Sequence, residues 1–194
     1  MLHALSCLSE AQAKGTQATM EAMTHLLNCA ATNPEATVRF HASDMQLHIH
    51  SDASHLSKPR SRSRVGGYYF LDGKDDPNPK APPPPLNSPV HIVCKKLAVV
   101  TASAAESKTG GLFYNRQEGA MIRNILEDMG HPQVQPTPIQ TDNATAEGIA
   151  NDSVKTKGTK AMDMQFYWIR DRVDQGQFRV HWKRRNSHQN ESLR

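Results

Sequence analysis

The feature of the sequence that most constrains the fold is a segment, residues 45–54, in which apolar and polar side chains alternate. Successive side chains of a β-strand point to opposite faces, so this pattern predicts a strand with one buried face. The apolar face carries Met45, Leu47 and Ile49. The polar face carries His48, His50 and Asp52. Because a strand is not stable alone in water, we expect further strands elsewhere in the chain.

The rest of the chain supplies these strands, together with helices. Residues with strand propensity predict strands at 65–71, 90–94, 139–141 and 178–182. Apolar residues at helical spacing, with capping and stop signals, predict helices at 11–31, 103–130, 144–150 and 160–175. Three glycines, Gly110, Gly111 and Gly119, predict that residues 103–130 form two helices. This order of elements indicates a mixed α/β domain.

A proline-rich segment, residues 75–89, separates the second and third predicted strands and contains the run DDPNPKAPPPP. Such a run also suits an extended linker between domains. We interpret it as a long hairpin connection, because neither flank could form a sheet alone. Its composition supplies neither apolar anchors nor regular hydrogen bonds, so we expect it to be disordered or poorly determined.

Composition narrows the class of protein. The 194 residues suit one domain with an appendage, and the formal charge of +4 is compatible with a phosphate-bearing partner without requiring one. The 3 cysteines are an odd number without CxxC spacing, which argues against a disulfide framework and a zinc knuckle. The sequence has no signal-peptide pattern and no apolar run near the roughly 18 residues of a membrane helix. We therefore expect an intracellular protein, cytoplasmic or nuclear, without a membrane partner.

Two acidic residues, Asp52 and Asp142, are predicted to lie where strands end. Paired carboxylates at the ends of neighbouring strands are what a two-metal phosphodiesterase needs, since Mg²⁺ prefers hard oxygen ligands. A structural interpretation is also open, in which Asp142 is the N-cap of the following helix and Asp52 forms a turn.

Other polar groups carry weaker signals. His48 and His50 share a strand face, and an ordinary structural role is favoured over a metal or general-base role because no third ligand is near in sequence. The last third of the chain is basic and includes Tyr167, Trp168 and Trp182, which fits a surface that contacts a nucleic-acid backbone. A solvated helix face explains these charges equally well, because aspartates share the helix at 160–175.

Five phrases of the sequence, in this order, resemble the ribonuclease H region of copia-type LTR retrotransposon polyproteins. They are HSDAS at 50–54, SRSRVGGYYF at 61–70, ASAAES at 102–107, PIQTDN at 138–143 and KAMDMQFYWIR at 160–170. The resemblance covers roughly residues 45–185, and residues 1–44 resemble the segment that joins the reverse transcriptase to this domain. It therefore implies a degenerate copy with two parts, a helical connection at 1–44 and a ribonuclease H-like domain at 45–194.

The resemblance implies a fold, a reaction and a set of partners. The family folds as a mixed five-stranded sheet flanked by helices, and cuts the RNA strand of RNA–DNA hybrids with two Mg²⁺ ions held by four acidic residues. The first and third acids correspond to Asp52 and Asp142, which become the candidate catalytic and metal-binding residues. The implied partners are an RNA–DNA hybrid or another nucleic acid, and the reverse transcriptase domain of the same polyprotein.

The other two acids of the family are not matched. The second belongs to a phrase like SAAEAEL, which here reads SAAESKT at 103–109, so its position holds Lys108. Glu106 lies two residues earlier, about 200° around a helix, and should point away from the site. The fourth acid normally lies in a phrase like NLAD with a final helix. Ungapped counting places Glu191 there, without the helix, in a tail that is truncated or altered after about residue 185.

Lys108 decides which function is expected. Two unit charges about 4 Å apart interact by roughly 4 kcal/mol at an effective dielectric constant near 20, so a lysine strongly disfavours a neighbouring divalent ion. We expect its ammonium to lie between Asp52 and Asp142 and to replace the charge of the metal. The leading hypothesis is a domain with impaired catalysis that still binds hybrid. The alternatives are an endonuclease that recruits Glu106 or Glu191, a non-catalytic nucleic-acid-binding module, and a functionless fragment of a decayed retrotransposon.

Overall fold

The computed structural model describes residues 1–58, 61–73, 86–153 and 160–183. The chain divides into two compact units, Met1–Phe40 and His41–Arg194. The expected disorder of the proline-rich segment falls mostly on residues 74–85, which lie outside the described residues. The identification of residues 1–44 as a connection to a reverse transcriptase stays a prediction.

The first unit contains two helices, α1 (Leu2–Ala11) and α2 (Gln17–Ala31). Sequence patterns did not predict α1, and the helix predicted from residue 11 begins later. Thr16 explains this start, because its hydroxyl accepts a hydrogen bond from the Thr19 backbone N–H and its own N–H donates to the Thr19 hydroxyl. No residue of either helix is buried. The apolar stripe predicted on α2 is exposed at Met20, Met23 and Leu27.

The second unit is built on a sheet of five strands in the order β3-β2-β1-β4-β5. The strands are β1 (Gln46–Lys58), β2 (Arg62–Asp72), β3 (Pro89–Lys96), β4 (Thr137–Thr141) and β5 (Phe178–Trp182). β1, β2 and β3 pair antiparallel, whereas β4 pairs parallel with both β1 and β5. The predicted mixed five-stranded sheet is confirmed. So is the predicted neighbourhood of β1 and β4, since Ile49 pairs with Ile139.

Among the described residues, three helices accompany the sheet: α3 (Ala104–Asp128), α4 (Ala144–Ala150) and α5 (Lys160–Asp174). The prediction that glycines split α3 into two helices is wrong, because these glycines are packing positions. A Cβ on Gly119 would lie 2.6 Å from Ile49 Cδ1, and one on Gly111 would lie 3.1 Å from Ala53 Cβ. The missing side chains therefore let α3 lie directly on β1, and this packing offsets the low helix propensity of glycine.

The hydrophobic core lies between the sheet and these helices. Leu47 and Ile49, on the predicted apolar face of β1, are buried in it. They pack with residues from every layer, including Val65, Tyr69, Leu112, Ile139, Ile169, Phe178 and Val180. In the part of the chain that the structure describes, no helix combines the length and the apolar character needed to cross a membrane.

A charged side chain, Arg116 of α3, is also fully buried. Its Nη1 donates a hydrogen bond of 2.8 Å to the carbonyl of Ile169 in α5. Its Nε and Nη2 have no hydrogen-bond partner among the described residues. Burial lowers the pKa of Arg116 to about 9, because a guanidinium ion loses hydration in the core. Arg116 therefore links two helices at an electrostatic cost.

Candidate active site

Asp52 of β1 and Asp142, just after β4, lie close to the point where the parallel pairing of these two strands ends. Asp142 directly follows Thr141, the last residue of β4, as predicted. Asp52 was predicted at the end of a strand, and this is wrong, because β1 continues to Lys58 and Asp52 pairs with Gly66 of β2. β4 accompanies β1 only as far as His50, so Asp52 lies just beyond the shared part of the two strands. Parallel pairing therefore brings the two carboxylates together.

Lys108 of α3 joins these carboxylates. Its ammonium group contacts Asp52 Oδ1 and also lies 2.7 Å from Asp142 Oδ1. The predicted projection of Lys108 between the two aspartates is confirmed. Since both carboxylates contact one nitrogen atom, their separation is well inside the roughly 8 Å limit for sharing a pair of metal ions. The Lys108 side chain is 14% exposed, against 52% for Asp52, so the cation is enclosed while one of its partners reaches solvent.

The start of α3 places Lys108 in the second turn of the helix. Ser103 is the N-cap, and its hydroxyl accepts a hydrogen bond of 3.1 Å from the Glu106 backbone N–H. The Glu106 carboxylate accepts one of 2.7 Å from the backbone N–H of Ala102, the residue before the N-cap. Glu106 thus contacts the N-terminus of the helix instead of the aspartates, as its position around the helix predicted. Glu191 lies outside the described residues.

The structural interpretations of both aspartates are wrong. Asn143, and not Asp142, caps α4, because the Asn143 side-chain oxygen accepts a hydrogen bond of 2.8 Å from the Ala146 backbone N–H. Asp52 lies within an extended strand and forms no turn. The backbone carbonyl of Asp142 accepts a hydrogen bond of 3.3 Å from the Trp182 indole N–H. The end of β5 therefore supports the position of Asp142, while its carboxylate meets Lys108.

A buried group of polar side chains beside Lys108 had no signal in the sequence. It consists of His55, Ser63, Thr101 and Ser107, and we call it the hydroxyl cluster. Ser107 Oγ lies 2.8 Å from His55 Nδ1, 3.0 Å from Ser63 Oγ and 2.6 Å from Thr101 Oγ1. Ser63, Thr101 and Ser107 are almost fully buried. Each residue is ordinary in its local sequence, and only the fold brings the four together.

The histidines of β1 have structural surroundings, as sequence favoured. His48 Nε2 lies 3.3 Å from the carbonyl oxygen of Gly73. The His50 ring contacts the Phe70 ring edge-on, with 5.1 Å between the ring centroids. The pKa of His50 is lowered to about 4, mainly by burial and then by the nearby charges of His181, Lys183 and His48. His50 is therefore neutral at neutral pH.

A pair of Mg²⁺ ions, as the resemblance implies, does not fit the described residues. No group of three or more histidine, cysteine, aspartate or glutamate side chains in the described ranges could hold a metal ion. Asp52 and Asp142 both contact Lys108. An ammonium group has three N–H donors and no lone pair, so it offsets one of the two carboxylate charges and cannot itself bind a metal.

Comparison with known proteins addresses the fold. No family model and no curated protein matches the sequence. Among solved structures, the N-terminal RNase H domain of a Mycobacterium tuberculosis protein has a TM-score of 0.50 at 10% identity, covering 75% of this chain and 87% of that chain. The fold is ribonuclease H-like. Sequence identity this low supports the ribonuclease H-like fold alone.

Two further structures were found, with lower TM-scores. LC11-RNase H1 in complex with RNA/DNA hybrid has a TM-score of 0.49 at 11% identity, covering 76% of this chain and 90% of that chain. The RNase H domain of prototype foamy virus has a TM-score of 0.46 at 10% identity, covering 76% of this chain and 88% of that chain.

Proposed function

We propose that this ribonuclease H-like domain derives from a copia-type retroelement polyprotein, in which its partner would be the reverse transcriptase domain, and that it acts inside the cell. In this proposal it binds RNA–DNA hybrids, but its two-metal cleavage reaction is impaired. One observation carries the proposal: the Lys108 ammonium group lies between Asp52 of β1 and Asp142, which follows β4.

The physical argument for impairment is electrostatic. Two-metal hydrolysis requires divalent ions about 4 Å apart that contact the attacking and leaving oxygens, and carboxylates must hold them. Lys108 supplies one positive charge where two ions would supply four, and its side chain is enclosed at 14% exposure. A metal ion would have to displace this cation from both carboxylates. The site as it stands is a folded ion-pair network that needs no metal.

The surface around the site supports binding of nucleic acid. Trp182 is 48% exposed, and its indole N–H is fixed to the backbone of Asp142. An exposed aromatic ring held beside these charged groups can stack on a base. Lys183 follows it, and its backbone N–H donates to the carbonyl of Thr141, so a cation lies at the same end of the sheet. In contrast, Arg170 forms an ion pair of 2.5 Å with Asp152, so it contributes less free charge.

The first test measures cleavage and binding of a labelled RNA–DNA hybrid by the wild-type protein. We expect salt-sensitive binding, because the affinity comes from contacts with phosphates. We expect negligible cleavage in Mg²⁺, no greater than that of the Asp52→Asn variant. Cleavage that depends on both Mg²⁺ and Asp52 would show a working endonuclease and contradict the impairment.

The second test reverses the charge at residue 108. Lys108→Glu should raise the affinity for Mg²⁺ in calorimetric titration, because it replaces the competing cation by a third carboxylate. Some hybrid cleavage should return if a water molecule or another acid completes the coordination. Equal Mg²⁺ affinity of the wild-type and variant proteins would sink the assignment of Lys108 to a catalytic position.

A further inference from the structure

Ser107, the residue directly before Lys108, is the centre of the hydroxyl cluster. Its hydroxyl oxygen lies within hydrogen-bond distance of His55, Ser63 and Thr101 and donates to the carbonyl of Ser103 at 3.2 Å. The residue is fully buried. A single hydroxyl thus meets groups from three other parts of the chain, in addition to its own helix.

The members of the cluster belong to separate elements. His55 is on β1, three residues beyond Asp52, and Ser63 is on β2. Thr101 precedes α3, and its hydroxyl also lies 3.0 Å from Ser63 Oγ. The cluster therefore ties the first turns of α3 to the same strand that carries Asp52. It limits both rotation of the helix about its axis and sliding along β1.

The orientation of Lys108 follows from that of Ser107. Successive residues of an α-helix are rotated by about 100°, so a helix whose Ser107 faces β1 and β2 must turn Lys108 toward one side. On that side are the carboxylates of Asp52 and Asp142. Gly111, one turn later, lets the helix approach β1 closely enough for the lysine to reach them.

We propose that the hydroxyl cluster is a positioning device that holds Lys108 between Asp52 and Asp142 and so keeps the carboxylates closed to divalent cations. The inference rests on the proposed function and deepens it, because it explains how a flexible cation stays in the site. A lysine side chain loses rotamer entropy when it is held in one geometry, and an exposed ion pair barely compensates for this loss. A lysine on an anchored helix, with an enclosed side chain, has fewer conformations before its ion pairs form. It therefore loses less entropy when they form, and the ion pairs are more stable.

The competing explanation is that the cluster only stabilises the fold. Both explanations predict lower stability when Ser107 is changed, so thermal unfolding alone does not separate them. They differ in what happens to the carboxylates. A positioning role predicts that loss of the Ser107 hydroxyl frees Lys108 and exposes Asp52 and Asp142 to cations, whereas a purely structural role predicts no gain in cation binding.

The experiment compares Ser107→Ala with a matched control, Thr109→Ala. Thr109 is equally buried in the same helix and directly follows Lys108 in sequence. Among the described residues its hydroxyl donates to the carbonyl of Ala105, within the helix. Alanine is compatible with a helix at both positions. Binding of Mn²⁺ alone is measured through the electron paramagnetic resonance signal of the free ion. Nitrogen-detected NMR of the lysine ammonium groups reports whether Lys108 is held.

We expect Ser107→Ala to bind Mn²⁺ about fivefold more tightly than the wild type, the factor that corresponds to one lost hydrogen bond. The Lys108 ammonium group should exchange protons slowly in the wild-type protein, and its signal should broaden or disappear in Ser107→Ala. Thr109→Ala should resemble the wild type in both measurements. Unchanged Mn²⁺ affinity and an unchanged ammonium signal in folded Ser107→Ala would overturn the inference.

Two further variants separate failure of the positioning role from failure of the proposed function. Lys108→Gln removes the cation and should bind Mn²⁺ more tightly than Ser107→Ala. If Lys108→Gln gains affinity and Ser107→Ala does not, only the positioning role fails. If neither gains affinity, the proposed function fails as well. Should Ser107→Ala not fold, Thr101→Val removes a second hydroxyl of the cluster with little change in shape and must show the same loss of the Lys108 signal.

Discussion

The first turns of α3 and its middle each place a cation against the rest of the domain, with opposite results. Lys108 meets two carboxylates beside the sheet. Arg116, about two helical turns further on, meets one carbonyl group and the face of the Phe178 ring in the core. Lys108 is therefore electrostatically compensated, and two nitrogens of Arg116 have no partner among the described residues. The comparison teaches that one helix can carry a lysine whose charge is balanced by carboxylates near its start and an arginine that is buried with few polar partners in its middle.

His50 extends this comparison to a buried group that can lose its proton and become neutral. It gives the largest expected effect on stability. Its pKa of about 4 in the folded protein lies below the ordinary value of 6.5, so the unfolded chain takes up the proton first. Stability contributed by neutral His50 is present above pH 6.5 and is lost as the pH falls toward 4. The loss should reach up to about 3 kcal/mol.

Urea denaturation between pH 6.5 and pH 4 checks this prediction against His50→Gln, which cannot titrate. The wild-type protein should lose more stability than the variant over this interval. Parallel curves for the two proteins would mean that burial of His50 does not control the acid sensitivity.

Removal of Lys108 should have the next largest effect. Lys108→Met leaves two carboxylates facing each other, and we expect the free energy of unfolding at pH 7 to fall by about 2 kcal/mol. This lies between the value for an exposed ion pair and that for a buried one, because Asp52 is half exposed. In the double variant Lys108→Met with Asp52→Asn, part of the stability should return. If the Lys108→Met protein were as stable as the wild type, the ion pairs of Lys108 would contribute no stability, and Lys108 would not differ from Arg116 in this respect.

Removal of Arg116 should have the smallest effect and the opposite sign. Arg116→Met replaces a poorly satisfied ion by an apolar chain of similar length, and we expect thermal unfolding to report a gain of about 1 kcal/mol at pH 7. Since the pKa of Arg116 is lowered to about 9, the electrostatic penalty in the wild type is present below that pH and declines above it. The gain should therefore be smaller at pH 10.

Arg123, on the same helix, provides the control. It donates hydrogen bonds to the carbonyls of Gln133 and Gln135 and to the hydroxyl of Thr137. Arg123→Met should therefore destabilise the domain. If Arg116→Met loses stability as Arg123→Met does, the prediction for Arg116 is wrong. The packing of its side chain would then outweigh the cost of the nitrogens that have no partner among the described residues.

Much of the candidate site could be predicted from local patterns. Lys108 and Asp142 were placed correctly because the N-cap Ser103 defines the start of α3 and a short apolar run defines β4. Asp52 was misplaced relative to the end of its strand because the polar residues beyond it carry no apolar alternation, yet they pair with β2 as a hairpin as far as Lys58. Asn143 was overlooked as a cap, since Asp and Asn are equally good N-caps and the sequence offers both in succession.

The sequence by itself determined the five strands, the helical segments of the second unit and the residues that can meet near their ends. These follow from side-chain periodicity and capping, which act within a few residues of the chain. Only the tertiary structure decided that α3 is continuous and that the hydroxyl cluster exists. Both depend on contacts between distant segments: Ser107 meets His55 and Ser63 across 52 and 44 positions of the sequence, and the glycines of α3 are explained only by the strand beneath them. Local propensity cannot encode such contacts, because the partner surface forms only when the chain folds.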